Sequence, residues 1–140
     1  PVFEIRPATD DELDLCAALY ERVAARSFVW EPPEARTAAS KSASFDGETV
    51  LAAFEHGVLT GFTAFRQDIG TLSSLFVEPQ GAGVGPALLR AAAAAMPGGY
   101  VLECDDRNLP GLRFYQRLGF TPVGETVTPD YRLIQLRSPG

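Results

Sequence analysis

The sequence has 140 residues, of which 46% are hydrophobic and 21% are charged, and its net charge is −6 at pH 7. This length and composition predict one globular domain, residues 1–140, with an apolar core. The acidic balance argues against a general nucleic-acid surface, and no apolar run is long enough to span a bilayer. The two cysteines, Cys16 and Cys104, fit neither a disulfide framework nor a zinc spacing, which favours a cytoplasmic location.

The apolar pattern predicts, in chain order, a strand, two helices, three strands, a helix, a strand, a helix and two strands. The predicted ranges are 3–6, 10–25, 34–42, 48–55, 58–66, 71–77, 86–96, 100–104, 109–118, 120–127 and 131–136. Thr9 and Glu12 form a capping box ahead of the first helix. His56 lies in the predicted hairpin turn between the second and third strands, so we expect it to be exposed and not catalytic.

The strand over 71–77 has an irregular apolar pattern and leads into a glycine-spaced loop. Leu72 to Leu75 is an odd step, which suggests a bulge in a buried strand. The loop runs from Gln80 to Gly85, and Pro86 suits the first position of the helix that follows. Glycines let the backbone approach a ligand, and a helix N-terminus offers free N–H groups to an anion. The pattern therefore predicts a pyrophosphate site at this loop.

Two motifs and the order of elements together resemble the GNAT superfamily of N-acetyltransferases. The first motif is Gln80-Gly-Ala-Gly-Val-Gly-Pro86, similar to the family's coenzyme A pyrophosphate loop. The second is Asn108-Leu-Pro-Gly-Leu-Arg-Phe-Tyr-Gln-Arg-Leu-Gly-Phe120, similar to its Asn-x-x-Ala-x-x-Phe-Tyr-x-x-x-Gly-Phe segment. The chain departs from the family in a shortened Pro79-Gln80 entry to the loop, in Pro86, which removes an N–H, and in Gly111 where alanine is usual.

The resemblance implies an α/β fold with a mixed, mostly antiparallel twisted sheet of about six or seven strands and about four helices. It implies a central strand splayed by a bulge. The implied activity is transfer of an acetyl group from acetyl-CoA to a primary amine of a small molecule or peptide, by direct attack in a ternary complex. No nucleic-acid, membrane or metal partner is expected, and a homodimer is left open.

The resemblance also assigns site residues. Coenzyme A would contact the central strand, the glycine loop and the Asn108–Phe120 motif, through Leu75, Phe76, Val77, Gln80, Gly81, Ala82, Gly83, Val84, Gly85, Asn108 and Tyr115. The phenol of Tyr115 would give its proton to the departing thiolate as a general acid. N-capping of a helix explains Asn108 equally well, and aromatic packing is the alternative for Tyr115.

The general base and the acceptor pocket are less constrained by the sequence. Glu103 is preferred as the base, with Glu78, Ser73 and Ser74 as alternatives. Phe28 and Trp30 lie where relatives close over the acceptor, and with Ser73 and Ser74 they are the predicted substrate residues. The segments over 27–43 and 126–131 are expected to set acceptor identity. Cys104 is expected to be a buried small apolar residue and not a nucleophile.

Two other classes of protein are alternative interpretations of the same sequence features. A dinucleotide-binding domain also has a glycine loop between a strand and a helix, and Glu103 falls roughly where a ribose-binding acid would. Against it, Leu88 stands where the third glycine should be. A non-catalytic acyl-CoA-binding module would share the cofactor site, and turnover separates it from an enzyme. A Walker-type loop is excluded, because no Lys-Ser/Thr pair follows Gly85.

Overall fold

The computed structural model describes residues 3–79 and 83–140. Its strands are β1 (Glu4–Pro7), β2 (Thr49–Glu55), β3 (Val58–Arg66), β4 (Thr71–Val77), β5 (Val101–Asp105), β6 (Thr121–Val127) and β7 (Arg132–Arg137). Its helices are α1 (Asp10–Ser27), α2 (Ala38–Ser44), α3 (Val84–Ala95) and α4 (Leu109–Arg117), with a 3₁₀-helix at Pro33–Arg36. Within the described ranges, no helix is long and apolar enough to cross a membrane.

The strands form one sheet in the order β1-β2-β3-β4-β5-β7-β6. Neighbouring strands are antiparallel throughout, except that β4 and β5 are parallel. This mixed, mostly antiparallel sheet with its four α-helices confirms the predicted fold class. A dinucleotide-binding domain is built on a mostly parallel sheet, so the alternative of such a domain does not fit.

The predicted bulge in β4 is present. Ala64 of β3 pairs with Ser74, while the next residue, Phe65, pairs with Leu72, so Ser73 has no partner on β3. The extra residue shifts the side-chain alternation by one, which explains the odd apolar step read from the sequence.

The two parallel strands separate soon after they begin. Thr71 and Leu72 pair with Val101 and Leu102, and the ladder between β4 and β5 ends there. Beyond Leu72, the edge of β4 that faces β5 has no strand partner among the described residues. The sheet therefore opens at its centre, on the C-terminal side of both strands.

Helices cover the two faces of the sheet unequally. On one face, α1 packs on β2, β3 and β4 through a cluster that includes Leu19, Tyr20, Phe62 and Phe76. On the other face, α3 packs on β2, β3 and β4, and a second cluster, which includes Leu72 and Leu102, joins α3 and α4 to β4, β5 and β7. The face that α1 shares with β2–β4 is left open over β5, β7 and β6, so it provides an accessible sheet surface.

Two helix boundaries differ from the sequence prediction. Helix α3 begins at Val84, so Pro86 occupies its third position and not its first. Proline is tolerated there because the first-turn N–H groups have no intrahelical partner. The predicted second helix is divided, because Thr37 has an extended backbone (φ −103°, ψ 154°) between the 3₁₀-helix and α2. The side chain of Thr37 then caps α2 by accepting a hydrogen bond from the Ser40 N–H.

The predicted capping box of α1 is confirmed. The Thr9 N–H donates to Glu12 Oε1 at 2.9 Å, and the Glu12 N–H donates to Thr9 Oγ1. Arg6 of β1 also donates to both carboxylate oxygens of Glu12, at 2.6 and 2.7 Å. These hydrogen bonds, that from Arg6 first, lower the pKa of Glu12 to about 2.

We expect Glu12→Gln to remove part of the acid sensitivity of the fold. A carboxylate whose pKa is lowered on folding stabilises the native state above its unfolded pKa, here 4.5, and loses that effect as pH falls through about 2. The wild type should therefore melt at a higher temperature than the variant at pH 7. This difference in melting temperature should disappear as the pH falls from 4.5 to about 2. Asp14→Asn, an exposed change on the same helix, is the control. A gap that does not depend on pH would contradict the assignment.

Candidate functional site

A cavity of about 740 Å³ lies where β4 and β5 separate. Tyr20 of α1 and Lys41 of α2 line it on one face of the sheet, and Asn108 and Tyr115 at α4 line it on the other. The cavity therefore reaches both faces through the opening in the sheet. This volume is within the usual range for small-molecule sites.

The strand and helix ends beside this opening carry the residues predicted to hold coenzyme A. Leu75 and Phe76 line the cavity, and Val77 packs with Val84 in a small cluster under α3. By helix geometry the Val84 and Gly85 N–H groups, in the first turn of α3, have no intrahelical partner and can bind an anion. The remaining predicted loop residues, Gln80, Gly81 and Ala82, lie outside the described residues.

The two described glycines of the loop motif each have a structural reason to be glycine. Gly83 is the N-cap of α3 and has φ 82°, a conformation that L side chains rarely adopt. A Cβ at Gly85 would lie 3.2 Å from Phe114 Cζ, so glycine there lets α3 approach α4. The close packing and the N–H groups without an intrahelical partner occur together at this helix end.

Tyr115 of α4 is half-buried and lines the cavity. Its ring packs edge-on against Phe114 and Phe120, with centroid distances of 5.2 Å to both. Burial raises the pKa of Tyr115 above its usual value, and the nearby Cys104 adds to this. The phenol is therefore protonated at neutral pH. Among the described residues, none forms a hydrogen bond with its hydroxyl, so it is available to a ligand.

Asn108 caps α4 and lines the same cavity. Its Oδ1 accepts a hydrogen bond from the Gly111 N–H at 3.1 Å. The capping interpretation of Asn108 is thus confirmed. Its position at the cavity also leaves it within the region predicted to contact coenzyme A.

Glu103 is exposed on β5 and lines the cavity from the open face of the sheet. Thr126 Oγ1 lies 3.5 Å from Glu103 Oε2, and Gln135 is its partner on β7. The carboxylate is therefore held beside the acceptor side of the opening with only a weak hydrogen bond to the protein.

The predicted acceptor residues lie on the α1 face. Phe28 and Trp30 line the cavity, with ring centroids 5.4 Å apart. Ser73 also lines it, and its hydroxyl contacts the Glu48 carboxylate. Ser74 is buried behind the cavity wall and accepts a hydrogen bond from Lys41.

Two charged residues that the sequence analysis did not assign also line the cavity. Lys41 Nζ lies 2.9 Å from Ser74 Oγ and 4.5 Å from the centre of the Tyr20 ring. Burial lowers the pKa of Lys41, while burial raises the pKa of Glu31. One feature of the sequence could have drawn attention to Lys41, because it is the only lysine among the 12 Lys and Arg residues.

Three other candidate groups are poorly suited to this chemistry, although one of them, Cys104, also lines the cavity. Glu78, an alternative base, is bonded to Arg22 and Arg26 at 2.8 Å each. These bonds, that from Arg22 first, lower its pKa and make it a poor proton acceptor. Cys104 is buried, and burial raises its pKa to about 11, which confirms the expectation of a non-nucleophilic thiol. His56 is exposed in the β2–β3 turn, as predicted.

A smaller cavity of about 310 Å³ adjoins the first on the acceptor side. Trp30 and Glu31 line both cavities, and Tyr131 and Asp130 enter the smaller one from the loop between β6 and β7. The two segments expected to set acceptor identity therefore meet at the same place. Arg107 also lines the smaller cavity, with its guanidinium 5.7 Å from the centre of the Trp30 ring.

Solved structures with the same fold are numerous. YjaB from Escherichia coli, in its apo form, superposes with a TM-score of 0.83 at 23% identity, over 100% of this chain and 99% of that one. The PaiA N-acetyltransferase from Thermoplasma acidophilum, in complex with coenzyme A, gives 0.76 at 18% identity, over 96% and 98%. The yncA protein from Salmonella typhimurium, with its cofactor acetyl-CoA, gives 0.70 at 21% identity, over 98% and 93%.

The family comparison covers more than half of the sequence. Residues 46–122 match the model of the acetyltransferase (GNAT) domain, a segment that contains the bulged strand, the loop motif and the Asn108–Phe120 motif. No curated protein matches the chain at a significant level. With this family match, the mostly antiparallel sheet and the opening between β4 and β5, the chain belongs to the GNAT acetyltransferases.

Proposed function

We propose that the chain transfers an acetyl group from acetyl-CoA to a primary amine of a small molecule or peptide, by direct attack in a ternary complex. The observation that carries the proposal is the cavity that reaches both faces of the sheet between β4 and β5. Such an opening lets the acyl donor and the acceptor meet from opposite sides without sharing one entrance.

The described residues fit acetyl-CoA, which supplies the acetyl group as an activated thioester. The edge of β4 beyond Leu72 has no strand partner among the described residues. A peptide-like arm can pair with such an edge as an added strand, and coenzyme A has one in its pantetheine. The Val84 and Gly85 amides at the start of α3 are the described groups we assign to the phosphates.

Tyr115 is the residue that we assign to the leaving thiolate. Its phenol lines the cavity and is protonated, because burial raises its pKa. A hydrogen bond from the Tyr115 phenol would stabilise the negative charge that builds up on the sulfur as the C–S bond breaks, and we assign to Tyr115 the proton that the leaving thiol then takes up.

Glu103 is the residue that we propose as the general base, because attack requires a neutral amine. Its carboxylate lies on the acceptor side and makes only a weak hydrogen bond to Thr126. Glu31 lies in the same cavity, and we assign it to holding the acceptor's ammonium before the proton is lost.

We expect Glu103→Gln to lower kcat/KM at neutral pH by roughly 10²–10⁴-fold, the usual contribution of a general base. The loss should shrink at higher pH, because a larger fraction of the free amine is then already neutral. Glu31→Gln, the matched control in the same cavity, should act mainly through a higher KM. Full neutral-pH activity in Glu103→Gln would exclude it as the base.

The experiment that tests the function is a transfer assay with acetyl-CoA and a panel of amino acids, polyamines and peptides. The expected result is acetylation of at least one amine, with one free coenzyme A thiol formed per acetylated product. Hydrolysis of acetyl-CoA without acetylated product, or no consumption with any amine, would count against the proposal.

A further inference from the structure

Lys41 lines the cavity and, among the described residues, forms no ion pair, although the carboxylates of Glu48 and Glu31 are near enough to raise its pKa in opposition to the effect of burial. It is the only lysine of the chain, and the other 11 of the 12 Lys and Arg residues are arginine. Its Nζ donates to Ser74 Oγ at 2.9 Å and lies 4.5 and 5.3 Å from the ring centres of Tyr20 and Phe76. The helix that carries it, α2, has no buried residue, and Lys41 reaches from it to Ser74 of β4.

The ammonium of Lys41 has no carboxylate partner within ion-pair distance among the described residues. Ser74 uses one of its three donors, and the two rings supply only a cation–π attraction. By contrast, Arg6, Arg22 and Arg107 each form an ion pair with a carboxylate. Buried charges in proteins are usually paired, so the missing partner of Lys41 is expected to come from a ligand.

Two further groups in the same cavity wall lack partners. Glu31 lines the cavity and forms no side-chain hydrogen bond with any described residue, and burial raises its pKa. The Trp30 indole Nε1 is buried and has no hydrogen-bond partner in the described part of the chain. Among the described residues, the wall thus contains a cation without an ion-pair partner, and an anion and a neutral donor without a hydrogen-bond partner.

We propose that the acceptor is an amine that also carries a carboxylate, and that Lys41 binds this carboxylate while Glu31 faces the amine. This substrate class rests on the proposed function and narrows it, because a zwitterion complements both charges. A polyamine would place a second cation near Lys41, which costs energy in a site that is partly withdrawn from water.

The test compares each amino acid acceptor with its own carboxamide, which has the same amine but no negative charge. Wild type is expected to prefer the free acid by roughly 10- to 100-fold in kcat/KM. This factor corresponds to the stabilisation that a hydrogen bond to a charged group provides. Lys41→Met should abolish this preference, mainly by raising KM for the acid. Lys41→Arg should keep part of it, and Arg90→Met, an exposed change on α3, should leave it as in wild type.

A second measurement does not depend on turnover. Because Lys41 is the only lysine, protein made with isotopically labelled lysine gives a single side-chain nitrogen signal by NMR. Titration with an N-acetyl amino acid, the expected product, should shift this signal, whereas the N-acetyl amino acid amide should not. The proposal is overturned if acids and amides behave alike in both measurements. Failure to acetylate any amine, with the acid still shifting the signal, would count against the proposed function and not against the Lys41 site.

Discussion

Replacing Tyr115 with phenylalanine is expected to lower kcat by roughly 10²–10⁴-fold, the range attributed to a positioned general acid. The melting temperature and the affinity for acetyl-CoA should stay close to those of the wild type. The reason is that the ring keeps its contacts with Phe114 and Phe120, and no described residue bonds to the hydroxyl that is lost. Steady-state kinetics at saturating acetyl-CoA, together with a thermal melt, provide the measurement.

Tyr100→Phe is the matched control for this variant. Tyr100 belongs to the same core cluster and contacts Phe120, but it does not line the cavity. It should therefore retain wild-type kcat. If Tyr115→Phe kept wild-type kcat, or if both variants lost activity equally, Tyr115 would not be the acid.

Gly83→Glu is expected to abolish binding of acetyl-CoA and coenzyme A while the protein still folds. Among the described residues, a Cβ at Gly83 meets no heavy atom within 4 Å, so the carboxylate projects into open space at the start of α3. There it opposes the phosphates that the helix N-terminus would otherwise attract. In wild type, ligand at a hundred times its Kd should raise the free energy of unfolding by about 2.7 kcal/mol. The variant should show no such increase.

Gly47→Glu is the control for the stability lost when a side chain is placed at a positive φ. Gly47 has φ 77°, close to the 82° of Gly83, and its Cβ would also meet no heavy atom of the described chain within 4 Å. It precedes β2, at the opposite end of the sheet from the C-terminal end of β4. Both variants should lose similar stability without ligand, and only Gly83→Glu should lose the response to coenzyme A. Equal responses to coenzyme A would place the phosphates elsewhere.

Local signals in the sequence were sufficient for most of the fold. The Thr9–Glu12 capping box located the start of α1, and the odd step from Leu72 to Leu75 located the bulge of β4. Each of these features depends on residues only a few positions apart in the sequence, so it can be predicted without knowledge of the tertiary structure. The start of α3 was placed two residues late, because Pro86 suits any position in a first helical turn.

The acceptor side was less predictable, because long-range packing assembles it. Lys41 lies on α2, a short helix whose other residues are all Ala or Ser and which has no apolar face, so nothing local indicates which side of it meets the sheet. Its contact with Ser74 joins positions 33 residues apart. Glu31 was missed for the same reason, since its place in the cavity depends on how the 3₁₀-helix and α2 follow α1.

The most direct test of the account is an amide NMR titration with coenzyme A, with NAD in parallel. The account predicts that coenzyme A shifts the amide signals of Leu75 and Val77 in β4 and of Val84 and Gly85 at the start of α3, and leaves His56 and Gly57 in the β2–β3 turn unchanged. NAD should shift none of them. Shifts with NAD at these amides, or coenzyme A shifts confined to other parts of the sheet, would contradict a donor site between β4 and the start of α3.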